Sequence, residues 1–330
     1  MLKISTNPHI QTRRNTKSIM LDVVIALIPA ALFAIIFFGL EALRVIVVSV
    51  LGCVLFEFLA CRYWLKVKSS INDFSAVITG LLLAYNLPSS MPSWMILVGC
   101  FMAIIVAKMC FGGLGKNIFN PALVGRVFLF ISFPVQMTVW PTPHFLQLVS
   151  PDGQTGATTL RMLKSIAPEG ELVAADRYSI NELPSYFDMF VGNIGGCIGE
   201  ISAFALLLGL GYMLWRKVIS WHIPFYYIAT VAALTAILYY TTGDIKYLPL
   251  AHVLSGGLML GAIFMATDYT TSPMTIKGQI IFAIGCGALT VIIRSFSAYP
   301  EGVSFAILIM NALVPLIDKF AVQRYYGEKR

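Results

Sequence analysis

The sequence predicts an all-α integral membrane protein with about ten transmembrane helices, arranged as two five-helix halves of inverted topology. Three observations predict this fold: an apolar composition, ten separate apolar stretches, and one long polar segment between the fifth and sixth stretches. Of 330 residues, 58% are hydrophobic and only 12% are charged, and the mean hydropathy is +0.81. Soluble domains carry about 25% charged residues. The bilayer is therefore expected to solvate most of the chain.

Each apolar stretch comes close to the ~20 residues that a membrane-spanning helix needs, although two are short. The predicted spans are Met20–Gly39, Arg44–Cys61, Phe74–Leu87, Trp94–Phe111, Ile118–Phe133, Phe190–Trp215, Ile223–Tyr240, Leu248–Ala266, Gln279–Ile293 and Val303–Ile317. The first span follows a basic segment, as a signal peptide would. It is too long for the apolar region of such a peptide and has no clear cleavage site, so we interpret it as a retained helix.

The distribution of Lys and Arg residues predicts the orientation. If the N-terminus is cytoplasmic, 16 of the 23 basic residues face the cytoplasm, six face the other side, and Arg126 lies inside a span. Basic residues concentrate on the cytoplasmic side of membrane proteins. Both termini are therefore predicted to be cytoplasmic, and the net charge of +7 reflects this bias rather than nucleic-acid binding.

The predicted organisation has five parts. These are a cytoplasmic N-terminal segment (1–19), a first five-span half (20–139), an extracytoplasmic loop (140–189), a second five-span half (190–318) and a cytoplasmic tail (319–330). An odd number of spans per half inverts the second half relative to the first. Weak internal similarity supports a repeat, since "ITGLLLAYNLPSSMPSW" pairs with "LSGGLMLGAIFMATDYTTSPMT" and "FNPALVGRVFL" with "IMNALVPLI". The alternative is chance similarity between two hydrophobic segments.

The cysteines and histidines do not predict a metal centre. None of the six cysteines forms a CxxC pair, and the four histidines are widely scattered. Cysteines in apolar stretches usually behave as small hydrophobic residues. No metal site is therefore predicted.

The polar segment (140–189) contains "DGQTGATTL", Asp152 to Leu160, near its start. Its Asp-Gly opening is typical of a turn. A helix beginning near Thr158 would place Thr158 and Arg161 on one face, and its free N–H groups, beside Arg161 and Lys164, would suit a phosphate. The alternative is an ordinary helix whose threonines serve as N-caps.

The same segment resembles the flavinylation motif of the D subunit of the Rnf electron-transport complex, and equally that of the B subunit of the sodium-translocating NADH:quinone oxidoreductase. The resemblance implies FMN attached to Thr158 through a phosphoester. The other cofactor-binding residues would then be Thr155, Gly156, Ala157 and Arg161. Thr155 replaces the more common serine, and Thr159 stands where the family often has proline, which leaves a second hydroxyl beside the expected acceptor.

The resemblance covers most of the chain, through four further segments in the same order and spacing. They are "AKMCFGGLGKNIFNPALVGRVFLFISFPVQMTVW", "WHIPF", "HVLSGGLMLGAIFMATDYTTSP" and "IIRSFSAYPEGVSFAILIMNALVPLID". It implies a flavin-carrying subunit of an ion-translocating ferredoxin:NAD oxidoreductase in the bacterial inner membrane. Partner subunits, a flavin transferase and a second, non-covalent riboflavin are also implied. The length favours the Rnf subunit over its quinone-reductase relative, which has a longer N-terminal extension.

Ionisable residues in apolar stretches are the remaining candidates, because a charge at mid-bilayer costs ~2.5–3.5 kcal/mol or more. Glu57, Arg126 and Glu200 lie inside predicted spans, and Asp268 lies at a cytoplasmic span end. We expect Glu200 and Asp268 to lie on a route for Na⁺ or H⁺. The alternative for all four is an internal ion pair or a helix-end anchor.

Two other functions fit parts of the sequence. A channel or secondary transporter would also use inverted repeats and glycine-rich, broken spans, and a structural scaffold would need only the apolar helices. A flavin bound at Thr158 would separate the redox subunit from both. The sequence lacks a dinucleotide fingerprint and a cysteine-rich cluster motif, so the chain is not expected to catalyse a complete reaction alone.

Overall fold

The computed structural model describes residues 15–66, 71–143, 145, 155–165, 178, 183–297 and 301–321, which are mostly helical. The α-helices are α1 (Thr16–Leu59), α2 (Ser75–Tyr85), α3 (Ser93–Phe101), α4 (Pro121–Ser132), α5 (Pro134–Met137), α6 (Thr159–Lys164), α7 (Tyr186–Val191), α8 (Ala203–Trp215), α9 (His222–Thr242), α10 (Pro249–Leu254), α11 (Leu258–Leu260), α12 (Ile276–Phe296) and α13 (Val303–Phe320). Wider π-helical turns extend α1, α3 and α11 over Ala60–Leu65, Met102–Met109 and Gly261–Met265. Short 3₁₀ turns cover Ile71–Asp73 and Ile245–Tyr247.

Four helical runs in the described residues are long and apolar enough to cross a membrane. They are Thr16–Leu65, His222–Thr242, Ile276–Phe296 and Val303–Phe320. Shorter apolar helices cover Ser75–Tyr85, Ser93–Met109, Pro121–Ser132 and Ala203–Trp215. The prediction of a helical membrane protein is thus confirmed at the level of four candidate spans.

The first helical run is interrupted at Gly39, where φ is 62° and ψ is −144°. A straight helix of 44 residues would be about 66 Å long, twice the ~30 Å hydrocarbon core of a bilayer. Met20, near one end, lines the same cleft as Lys108. Lys108 Nζ lies 2.5 Å from a carboxylate oxygen of Glu57, near the other end. The run therefore folds back at Gly39, which agrees with the two predicted spans on either side of that residue.

Two other predicted spans are interrupted in the structure. Within Phe190–Trp215, helix α8 begins only at Ala203. Within Leu248–Ala266, helices α10 and α11 are separated at Gly256, where φ is +68°. Glycine adopts this left-handed conformation without a steric penalty.

The interrupted backbone is buried against the end of α2 rather than exposed to lipid. The N–H groups of Ile198 and Gly199 donate to the carbonyls of Leu87 and Tyr85 at 3.1 and 3.0 Å. A Cβ on Gly199 would lie 2.1 Å from the Tyr85 Cβ, so only glycine permits this approach. Irregular backbone at membrane depth is tolerated where protein covers it and satisfies its hydrogen bonds.

Helices α9 and α12 run side by side in the same direction. Ser220, just before α9, donates to Gln279 near the start of α12 at 2.8 Å, and the hydroxyls of Tyr227 and Thr290 lie 2.8 Å apart further along both helices. The C-terminal ends of α9 and α12 therefore lie on the same side of the molecule.

One small element departs from the all-α prediction. Strands β1 (Trp140–Pro141) and β2 (Thr155–Gly156) pair in antiparallel register, with Trp140 opposite Gly156. This ladder connects the start of the polar segment to the residues just before α6. The Ala157 carbonyl and the Pro141 carbonyl both lie near Gly195, within the interrupted part of Phe190–Trp215.

Candidate functional site

Thr158 is the N-cap of helix α6. Its backbone is extended (φ −68°, ψ 151°), and its hydroxyl oxygen accepts a hydrogen bond from the Arg161 N–H at 3.3 Å. The helix start predicted near Thr158 is therefore confirmed. The structure also shows the threonine N-cap, which was the predicted alternative to a phosphate site. The Arg161 side chain is exposed.

The neighbouring threonine is more deeply buried. Thr158 is 6% exposed and Thr159 is 2% exposed. The Thr159 hydroxyl has no hydrogen-bond partner among the residues that the structure describes. The two adjacent hydroxyls therefore differ: one accepts a hydrogen bond as a helix cap, and the other is buried without a partner among the described residues.

The cavity beneath these threonines brings together residues that are distant in the sequence. Its lining includes Thr158, Thr159, Glu200, Gly256 and Glu301. One carboxylate oxygen of Glu200 accepts from the Cys197 N–H at 3.2 Å, whereas the other has no partner among the described residues. The predicted acceptor Thr158 and the predicted ion-pathway residue Glu200 thus line the same cavity.

Arg126 supplies the positive charge beside this cavity. It is 5% exposed and forms an ion pair with Glu301. It also donates to the Asn86 side-chain oxygen at 2.5 Å and to the Cys197 sulfur at 3.6 Å. The guanidinium therefore joins α4 to the end of α2, to the interrupted backbone before α8, and to the residues before α13.

One group of side chains has the donor atoms of a metal site. Ligand atoms of Cys197, Glu200 and Glu301 lie within 4.8 Å of one another. Arg126 already contacts two of the three, Cys197 and Glu301. The guanidinium thus occupies the place at which a cation would neutralise these groups.

A larger cleft of about 730 Å³ opens at the start of α4, beside Asn120 and Pro121. Most of its wall is apolar, with a few converging polar groups that include Lys108, Asn117, Asn120 and Asp268. Such a cleft is typical of a small-molecule binding site. Along α4, Arg126 lies six residues beyond Asn120, a rise of about 9 Å, so the cleft and the cavity under Thr158 flank the same helix.

Two acidic residues, Asp268 in the cleft lining and Glu57 beside Lys108, have defined partners. Lys108 is 2% exposed and bonds Glu57 at 2.5 Å and the Ser75 hydroxyl at 2.7 Å. For Glu57, the predicted alternative of an internal ion pair is therefore confirmed. Asp268 accepts hydrogen bonds from the hydroxyls of Thr270 and Thr271, and burial raises the pKa of its carboxyl group above the ordinary value.

The structure therefore separates some predicted site residues and unites others. Glu200 lies in the cavity under Thr158, whereas Asp268 lies in the cleft. Gly156 lies in the β ladder, with Ala157 between the ladder and α6, and Asp152 lies outside the described residues. Sequence reasoning missed Glu301 because it falls between two spans, although its segment was part of the family resemblance.

Comparison with known proteins identifies the family. Residues 3–327 match the profile described as the NQR2, RnfD, RnfE family. The chain belongs to this family.

Three relatives are similar over almost the whole chain. The D subunit of the Na(+)-translocating ferredoxin:NAD(+) oxidoreductase complex of Acetobacterium woodii is 45% identical over 328 residues, which cover 99% of this chain and 95% of the relative. The D subunit of the proton-translocating ferredoxin:NAD(+) oxidoreductase complex of Clostridium ljungdahlii is 44% identical, with 99% and 96% covered. The D subunit of the ion-translocating oxidoreductase complex of Salmonella newport is 37% identical, with 100% and 99% covered.

Proposed function

We propose that this chain is the membrane-embedded D subunit of an ion-translocating ferredoxin:NAD⁺ oxidoreductase complex. The observation that carries the proposal is the similarity to D subunits of such complexes over 99% of the chain, at 45% and 44% identity. The partners are then the other subunits of the complex. Redox centres for ferredoxin and NAD belong to those subunits, because this sequence has no dinucleotide fingerprint and no cysteine-cluster motif.

In this function Thr158 carries FMN through a phosphoester, made by a separate flavin transferase. The position of Thr158 at the start of α6 supports the assignment, because a phosphate on its oxygen would lie beside the first N–H groups of the helix. Thr158 is also less buried than Thr159. When bound, FMN supplies the electron transfer, and the protein positions the group and adjusts its surroundings.

The cavity under Thr158 would couple this cofactor to ion movement. Glu200 has one unpartnered carboxylate oxygen among the described residues there, and the helix that carries Arg126 leads from the cavity to the cleft that holds Asp268. Ionisable residues in buried positions of membrane proteins commonly mark ion routes. Glu200, in the cavity beside Arg126, and Asp268, in the cleft at the start of α4, therefore hold Na⁺ or H⁺.

The cleft is the best site in the described residues for the second flavin, a non-covalent riboflavin. Its mostly apolar wall with a few converging polar groups is typical of small-molecule sites. Polar side chains such as Asn117, Asn120 and Thr270 lie among its apolar lining residues.

The proposed topology has ten spans in two inverted halves in the bacterial inner membrane, with both termini cytoplasmic and residues 140–189 outside. Two features support it. The turn between α2 and α3 and the turn between Met265 and α12 occupy equivalent places in the internal repeat. Helices α9 and α12, which are the seventh and ninth predicted spans, run parallel as this topology requires.

Covalent flavin is tested by producing the chain together with its flavin transferase and viewing denaturing gels under ultraviolet light. Wild type and Thr159→Val should fluoresce, and Thr158→Val should not. Fluorescence that survives Thr158→Val and disappears with Thr159→Val would move the bond by one residue. Absence of fluorescence in wild type would instead favour a channel or transporter, to which broken helices are equally suited.

Ion coupling is tested in proteoliposomes containing the complete complex. Glu200→Gln and Asp268→Asn should lower ion uptake driven by ferredoxin oxidation while the flavin stays attached. Uptake is measured separately for Na⁺ and H⁺, since the relatives from Acetobacterium woodii and Clostridium ljungdahlii are named for different ions. Unchanged uptake of both ions would assign these carboxylates to structural roles.

A further inference from the structure

A basic pocket adjoins α6 next to the threonine cavity. Its volume is about 710 Å³, and its lining includes Lys164, Lys246, Tyr247, His252 and Arg294. No acidic side chain is part of this lining among the described residues. We call it the basic pocket.

Arg294 is the buried anchor of the basic pocket. It is 2% exposed and donates to the carbonyls of His252 and Ser255 at 2.7 and 3.3 Å. Its Nε has no partner, and it forms no ion pair with a carboxylate, within the described part of the chain. Glu200 and Glu301 line the neighbouring cavity, where Arg126 pairs with Glu301. These two carboxylates also attract the Arg294 guanidinium, but neither forms an ion pair with it. A buried guanidinium without a directly bonded anion is costly.

His252 adds a second buried nitrogen without a partner. Its Nε2 lies 2.8 Å from the Lys246 carbonyl oxygen, which can only accept a hydrogen bond, so Nε2 carries the proton. Nδ1 has no partner among the described residues. Nδ1 is therefore available to accept from the hydroxyl of a ligand.

The lysines raise the positive charge of the pocket. Burial and the nearby Arg294 guanidinium lower the pKa of Lys164, which indicates cations facing one another. Lys246 lies 2.7 Å from Asp244, but this pair is about half exposed and gives weak neutralisation.

The pocket also lies at the level expected for phospholipid headgroups. The parallel helices α9 and α12 end beside it, and near those ends Tyr240 is 83% exposed and Phe296 is 86% exposed. Exposed aromatic side chains at the ends of membrane helices mark the interface between hydrocarbon and water. Phosphates of lipid headgroups lie in the same layer.

From this arrangement we propose that the basic pocket binds the phosphate of an anionic phospholipid headgroup, with Arg294 as its deepest contact. Lys164 and Lys246 attract the anion, and His252 accepts from a headgroup hydroxyl, as a glycerol headgroup offers. The proposal does not depend on the flavin or on ion movement.

Native mass spectrometry of the full chain purified in mild detergent tests the proposal. Dioleoylphosphatidylglycerol, dioleoylphosphatidylcholine and inorganic phosphate are titrated separately. Wild type should retain phosphatidylglycerol in preference to phosphatidylcholine. Lys164→Gln and Lys246→Gln should each weaken retention about fivefold, the ratio expected when one cation near an anionic headgroup is removed.

Lys277→Gln is the matched control, because Lys277 is an exposed cation at the opposite end of the same helix as Arg294. It should leave retention unchanged. Arg294→Gln should abolish the preference, with folding checked by size-exclusion elution; if it does not fold, the two lysine variants still decide. Equal retention of the two lipids, equal losses in Lys277→Gln, or binding of inorganic phosphate without lipid preference would each overturn the proposal.

Discussion

Replacing Arg126 by glutamine should destabilise the fold more than replacing an exposed charged residue would. Arg126 joins three separate parts of the chain through Asn86, Cys197 and Glu301. Glutamine keeps a polar group near Asn86 but removes the charge. Glu301, whose side chain is 11% exposed, is then left as a buried carboxylate without its cation.

The magnitude follows from this burial. Removing one partner of a buried ion pair typically costs about 3–5 kcal/mol, most of it from the charge left behind. The pair between Glu41 and Arg44 provides the matched comparison, because its side chains are 45% and 39% exposed. Breaking an exposed pair costs about 0–1 kcal/mol. Arg126→Gln should therefore lower stability several times more than Glu41→Gln.

Thermal unfolding of the purified chain, followed by fluorescence-detected size exclusion, measures the difference. The double variant Arg126→Gln/Glu301→Gln should recover part of the loss, because it removes the unpaired carboxylate, and the interaction between such contacting residues is typically about 0.5–3 kcal/mol. Losses that simply add in the double variant, or an Arg126→Gln effect no larger than that of Glu41→Gln, would refute the reasoning.

Three further predictions concern packing, a second buried pair and pH. Gly199→Ala should lower the free energy of unfolding by about 1–3 kcal/mol or more, because the new Cβ would collide with Tyr85 of α2. Gly211→Ala has open space around its Cβ and should be neutral or stabilising in the same thermal unfolding assay. Lys108→Met should cost about 3–5 kcal/mol by isolating Glu57, and adding Glu57→Gln should restore part of it; an unchanged melting temperature would contradict this. Burial raises the pKa of the Asp268 carboxyl group, so the folded protein holds this proton more tightly than the unfolded chain does. The protonated carboxyl group therefore stabilises the fold fully below the unfolded pKa of about 3.9, and this stabilisation is lost as the pH rises through the folded pKa. Asp268→Asn should flatten that part of the stability–pH curve, and an identical curve would show that the carboxyl is not perturbed.

Much of the fold could be predicted because a membrane-spanning helix is recognisable from one continuous apolar stretch of sequence. A helix must be long and apolar to cross the bilayer, so the spans at α9, α12 and α13 are visible in composition alone. The interruptions were harder to place. Gly199 could be recognised as permissive, but only the structure shows that Tyr85 packs against it at a distance no side chain would allow.

The candidate site also has a part that could be predicted from the sequence and a part that could not. The segment from Asp152 to Leu160 was recognisable because its residues are contiguous, and the helix start at Thr158 follows from local hydrogen-bonding rules. The companions of Thr158 are not contiguous: Glu200 and Glu301 come from separate parts of the chain and meet only because the broken backbone before α8 and the residues before α13 pack around Arg126. Glu301, between two spans, gave no local signal.

By itself the sequence determined that the chain is a helical membrane protein, and it placed most of its apolar helices, since hydrophobic length and local capping depend on neighbouring residues. The tertiary structure decided which charges neutralise one another: Lys108 with Glu57, Arg126 with Glu301, and Arg294 with no carboxylate among the described residues. Charge pairing depends on distances of a few ångströms between residues far apart in the chain, and folding alone sets those distances.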